Sequence, residues 1–155
     1  MGGAAGSRAV TPLVDNQIDW ASFRATRRAL GADFIRILGY FREDGAKSLV
    51  AIEAAMRARN PVALVIPAHT LKGESLQFGA ETLAALAEEI EMVARHCIEV
   101  QEAPDELIER VVRLRPLLED TLAAFDRECN PLVERRVPGG FGRKTGAGDQ
   151  GFGPL

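Results

Sequence analysis

The chain has 155 residues, with 19 Lys+Arg against 22 Asp+Glu and a formal net charge of -3 at pH 7; this is one domain's length, enough to bury a core without covalent staples. Near-balanced charge with no long basic block argues against a nucleic-acid or anionic-membrane surface, and the apolar run Val62 to Ile66 is far short of the ~20 residues that cross a bilayer. Cys97 and Cys129 share no C-x-x-C spacing, so free thiols in a reducing compartment are expected, and with them a cytoplasmic protein.

Residues 1–15, rich in Gly, Ala and polar types around Pro12, are read as a mobile leader. From 137 onward Gly139, Gly140, Gly142, Gly146 and Gly148 crowd a stretch with few apolar residues, too costly in entropy to order, so 137–155 is read as a disordered Gly-rich tail. Residues 16–136 remain as the folded domain, and their pattern is helical throughout. Asp19 caps a short helix ending near Leu30, where Gly31 interrupts it. A longer helix from Asp33 to Arg59 turns Phe34, Leu38, Phe41, Leu49, Ile52 and Met56 inward, with Gly39 and Gly45 weakening its middle. Asn60-Pro61 opens a third helix reaching Phe78. Pro67 removes an amide from that helix and predicts a kink or restart just before His69. After Gly79 a fourth helix runs to about Ala94 with Leu83, Leu86, Ala87, Ile90 and Val93 on one stripe. Pro104 opens a fifth, burying Leu107, Ile108, Val111, Leu114, Leu118, Leu122 and Phe125 and bent at Pro116. The expected fold is all-α, an up-down-up-down four-helix bundle with the short first helix as a cover over one end.

The chemistry lies around His69. On a 3.6-residue period Leu64, Ala68, Leu71, Ser75 and Phe78 form one side of the third helix, assigned to the core. Val62, Val65, Ile66, His69, Lys72, Gly73 and Leu76 fall on the other, placing the histidine in an exposed apolar patch that asks for a partner. An exposed imidazole is substantially uncharged near neutral pH and so is a competent nucleophile. Lys72, one turn away, can neutralise an anion attached to the ring. Gly73 costs the helix about 1 kcal/mol, and close approach of another molecule to His69 would offset that. These features describe a histidine that receives a phosphoryl group and passes it on.

Simpler readings stand beside this one. A lone helical histidine is more often an ordinary surface residue, and Glu88, Glu89 and Glu91 read as a solvated face rather than as acids of a site. A metal centre has no support, since His96 is the only other histidine and no paired spacing exists. Nor does His69 have a serine or cysteine partner for hydrolysis.

The string Ala68-His69-Thr70-Leu71-Lys72-Gly73, followed by Gly79-Ala80 and Leu83, resembles the histidine phosphotransfer (HPt) domains of two-component phosphorelays. The likeness extends over roughly residues 18–125, including Leu30-Gly31, Phe34, Tyr40-Phe41 and the run Leu83 to Leu86. It implies that His69 is the phosphorylated residue, Lys72 supports the phosphoryl oxygens, Gly73 keeps the ring approachable, and Gly79 lies at the turn into the next helix. Transfer would run between Nε2 of His69 and an aspartate of a response-regulator receiver domain, docked on Val62, Val65, Ile66 and Leu76. The resemblance implies no nucleotide or metal site on this chain; Mg²⁺ would sit on the receiver. The chain would act as a monomer, with receivers and a hybrid histidine kinase as partners. It departs from the family where Glu74, Leu76 and Gln77 replace small residues; Glu74 is far enough round the helix that its repulsion of the phosphoryl group is expected to be minor. A free-standing relay protein is the first expectation. The alternatives are the phosphoryl-accepting fragment of a larger histidine kinase and a non-catalytic adaptor that holds receivers.

Overall fold

A computed structural model of the chain describes residues 15–130; the expected leader up to residue 14, the expected tail and residues 131–136 lie outside the described residues. The described part is all-α: α1 (Trp20–Leu30), α2 (Phe34–Arg57), α3 (Pro61–Gln77), α4 (Glu81–Val100) and α5 (Ile108–Cys129), with 3-10 turns at Gly31–Asp33 and Asp105–Leu107. Of the described residues, 15–121 form one compact unit, and the last turns of α5 belong to a second. The sequence signals act where expected. The Asp19 carboxylate accepts from the Ser22 amide at 3.1 Å, the Asn60 side chain accepts from the Ala63 amide at 3.3 Å, and Pro61 occupies the first turn of α3, where its missing amide costs nothing.

Three expectations need correction. Pro67 does not restart the helix: α3 is unbroken from Pro61 to Gln77 with the proline inside it. One lost backbone bond is outweighed because Leu64, Ala68 and Leu71 on both sides of it are fully buried. Helix α4 passes Ala94 and ends at Val100, because Ala94 and Cys97 continue the buried stripe. Its stop is Gln101, left-handed at φ 60°, whose amide donates to the carbonyls of Cys97 and Ile98. The fifth helix begins at Ile108 rather than Pro104, and Ile108 is exposed while Leu107 in the preceding turn is buried.

Helix α3 packs on α2 along one flank and on α4 along the other, so the helix bearing His69 is held on two sides. Its C-terminal end is fixed by an aromatic cluster. Phe23 of α1 meets Phe34 of α2 at 5.4 Å between centroids, and Phe78 lies 6.1 Å from Phe34 and 5.3 Å from Phe41. All four rings are buried, each contributing about 2–3 kcal/mol of transfer free energy. Gly79 makes the turn into α4 at φ 78°, and a Cβ there would stand 2.5 Å from the Asp19 carbonyl oxygen. The Asp19 amide donates to the Gly79 carbonyl at 2.8 Å. A left-handed backbone pressed on another strand of chain leaves room for glycine alone. Through this contact α1 covers the end of the α3–α4 pair, as the sequence suggests. The Ile108–Thr121 part of α5 is tied to α2 by the Arg115–Glu53 pair at 2.7 Å and by Leu118 against Gly45.

Candidate functional site

His69 sits in the middle of α3, opposite the stripe of Leu64, Ala68, Leu71 and Ser75 that is buried in the core. Its side chain is 60% exposed, yet one edge of the ring is anchored: Nδ1 lies 3.2 and 3.1 Å from the two carboxylate oxygens of Glu91 on α4. Glu91 is 5% exposed. It also takes the Lys72 ammonium at 3.2 Å on Oε1, and Nε and Nη2 of Arg95 at 3.0 and 2.8 Å on Oε2. A buried carboxylate thus gathers three basic side chains from two helices.

The electrostatics follow from that arrangement. Burial pushes the Glu91 carboxyl up, but the hydrogen bonds from Arg95, Lys72 and His69 outweigh it and hold the group below the ordinary carboxylate value. An ionised carboxylate only accepts, so the proton of a neutral His69 ring must be on Nδ1. Nε2 is then the lone-pair nitrogen, and it has no hydrogen-bond partner among the described residues. When Nε2 forms a new bond the ring becomes cationic, and Glu91 is already in contact with the N–H that carries this charge. The site can hold a nucleophilic nitrogen towards solvent in one tautomer and stabilise the positive ring that results.

Of the residues singled out in the sequence, His69 and Lys72 are brought together through Glu91. The sequence pattern places Glu91 on a solvated face, and the structure overturns that: Glu88 and Glu89 are exposed, Glu91 is not. Its signal was present. Ala84, Ala87 and Ala94 are buried at i−7, i−4 and i+3 from Glu91, so the glutamate lies on a stripe of small residues that lets another helix come close. A carboxylate in that row requires cationic or donor partners.

The apolar patch is partly as expected. Val62, Ile66 and Leu76 are 63%, 71% and 56% exposed, but Val65 is buried at 8%. Val65 shares a flank with Lys72, seven residues on, and that flank faces α4 and Glu91. Val65 is therefore packing, not docking surface. Gly73 is exposed, and a Cβ added there would meet nothing within 4 Å. Nothing in the fold requires a glycine at this position, unlike Gly79. His96 pairs loosely with Glu99 at 3.9 Å and takes no part in the His69 site. Among the described residues no group of His, Cys, Asp and Glu side chains is placed to hold a metal ion.

Residues 36–128 match the family model of the Hpt domain. The chain belongs to the Hpt domain family. No curated protein and no solved structure matches it. The matched stretch contains all of α3 and α4 and nearly all of α2 and α5, and so the whole constellation of His69, Lys72, Gly73, Glu91 and Arg95. Hpt domains are helical bundles that carry out histidine phosphotransfer in two-component phosphorelays, working with response-regulator receiver domains. No helix among the described residues is long and apolar enough to cross a membrane.

Proposed function

We propose that this Hpt domain relays a phosphoryl group between Nε2 of His69 and the phosphorylated aspartate of a receiver domain, in the cytoplasm. The observation that carries the reading is the half-anchored ring, 60% exposed, with Nδ1 tied to buried Glu91 and Nε2 without a partner among the described residues. In the forward step the Nε2 lone pair attacks phosphorus of the aspartyl phosphate. The P–O bond to the aspartate breaks, the carboxylate leaves with that electron pair, and an N–P bond forms on a ring that stays protonated at Nδ1. The reverse step returns the group to a receiver.

Each neighbour has a part in this reading. Glu91 fixes the tautomer and offsets the ring's positive charge; Lys72, already beside the ring, supports the phosphoryl oxygens; Gly73 leaves the approach open. Val62, Ile66 and Leu76 form the apolar docking surface, with Arg95 and the α4 glutamates at its rim. Mg²⁺ belongs to the receiver.

Transfer from a panel of phosphorylated receiver domains to the purified chain tests this, comparing wild type with His69→Gln. Acid-labile, base-stable label on wild type alone is the expected result. Receiver binding with no label on wild type from any donor would replace the relay by a passive adaptor.

A further inference from the structure

In the relay reading Lys72 supports the phosphoryl oxygens on Nε2 of His69, yet its ammonium is already engaged, 3.2 Å from Oε1 of buried Glu91. Glu91 has a second cation on its other oxygen. Arg95, one turn further along α4, places Nε and Nη2 at 3.0 and 2.8 Å from Oε2. The two cations differ in what holds them there. Arg95 reaches Glu91 from within the same helix and keeps Nη1 without a partner among the described residues. Lys72 reaches it from α3, one turn from His69. Burial pushes the Glu91 carboxyl up, and Arg95 opposes that push more strongly than Lys72 or His69 does. The other charges of this flank are turned elsewhere. Glu89 pairs with Arg110 of α5 at 3.2 Å, Glu88 is exposed, and Ile66, Thr70, Gly73 and Leu76 around His69 are uncharged.

A buried carboxylate grips a lone cation tightly, because neither charge is well solvated there. A second cation on a separate oxygen loosens that grip, since the carboxylate stays paired when the first one leaves. The charges also sum in the direction that transfer needs. With the ring neutral, one carboxylate faces an ammonium and a guanidinium, a single positive charge in excess. A phosphoryl group brings about two negative charges and the ring it joins becomes positive, so the loaded site comes close to neutral. Without Arg95 the resting site would be neutral and the loaded site negative. We propose that Arg95 is a positioning residue for the relay: by pairing with Glu91 from within α4, it frees Lys72 to turn from Oε1 to the phosphoryl oxygens on Nε2. Arg95 touches none of the reacting atoms, and the bonds made and broken are those of the relay, on which this inference rests.

Transfer from a phosphorylated receiver to the full chain, followed as the rate at saturating receiver, tests it. Arg95→Gln is expected to slow that rate about tenfold. Arg95→Lys should restore most of it, and Lys72→Gln should slow it at least as much as Arg95→Gln, since it removes the group that Arg95 frees. In the Glu91→Gln background no buried charge holds Lys72, and adding Arg95→Gln there is expected to change the rate by less than about twofold. Nitrogen NMR of the chain alone should show the ring proton of His69 still on Nδ1 in Arg95→Gln. An unchanged rate in Arg95→Gln, or a loss confined to receiver affinity, would overturn the inference while leaving the relay intact. So would a loss that persists undiminished in the Glu91→Gln background, which would place Arg95 directly on the phosphoryl group, or a ring that loses its tautomer together with the rate. No label on wild type from any receiver would overturn the relay reading itself, and this inference with it.

Discussion

The two flanks of α3 bury the same side chain to opposite effect. Towards α4, Glu91 is enclosed more completely, yet Arg95, Lys72 and His69 keep it ionised below the ordinary range. Towards α2, Glu74 is enclosed less completely, yet burial and Asp44 raise it to about 7. Burial pushes both carboxyls up; at Glu91 the donors Arg95, Lys72 and His69 reverse that push, and at Glu74 Asp44 adds to it. The consequences for stability also run in opposite directions. The Glu91 network contributes stability that is present above the carboxyl's unfolded value and is lost as pH falls through its lowered folded value. The raised Glu74 contributes relative stability present below about 4.5, which is lost as pH climbs from there to about 7.

The largest expected effect comes from emptying the cationic flank. Glu91→Ala leaves Lys72 and Arg95 repelling one another and frees the His69 ring, and it should cost about 2–3 kcal/mol in denaturant unfolding at pH 7. Wild-type stability at or below that of the variant would mean that the three donors are solvated and the network is cosmetic. Glu91→Gln is the sharper probe. It preserves shape and one acceptor, so the fold should lose only about 1 kcal/mol, whereas the rate of phosphoryl transfer should fall by about tenfold, the equivalent of ~1.4 kcal/mol of lost stabilisation of the cationic ring. An unchanged rate at reduced stability would confine Glu91 to holding the helices together.

How far this contrast was legible in the sequence differs by flank and by range. The helices, their Asp19 and Asn60 caps, the buried stripe of α3 and the exposed histidine follow from local periodicity, and all are observed. So is the demand for glycine at position 79, although its cause, the Asp19 carbonyl pressed against it, is a contact between distant parts of the chain. The carboxyl pairings are of that second kind. His69 and Glu91 are 22 residues apart, and Asp44 and Glu74 lie on different helices. A helical wheel assigns a face, not the neighbour that covers it. Val65 fails for the same reason, since it sits at the edge between an open face and a covered flank.

A smaller effect of opposite sign is expected on the α2 flank. Glu74→Gln should leave unfolding free energy unchanged only below about pH 4, where the carboxyl holds its proton in both the folded and the unfolded chain. At pH 8 the variant should be more stable than wild type by about 1 kcal/mol, a figure reduced for the partial exposure of the pair. Equal stabilities at both pH values would mean that the carboxyls part and solvate separately when ionised, and the contrast between the flanks would collapse to one buried network and one ordinary surface pair.

The smallest effect on the fold is expected between the flanks. Gly73 faces solvent with no atom near its absent Cβ, so Gly73→Ala should raise stability by about 1 kcal/mol or less, the ordinary gain for a helical interior. It should shift neither carboxyl titration, because alanine adds no charge and displaces nothing. If the fold alone had selected this residue, the variant would simply be a better protein. A transfer rate that drops while stability rises would show that the space above His69 is kept clear for another molecule. An unaffected rate would place the receiver's approach elsewhere, towards Ile66 and Val62, and would leave the glycine without a function in the relay.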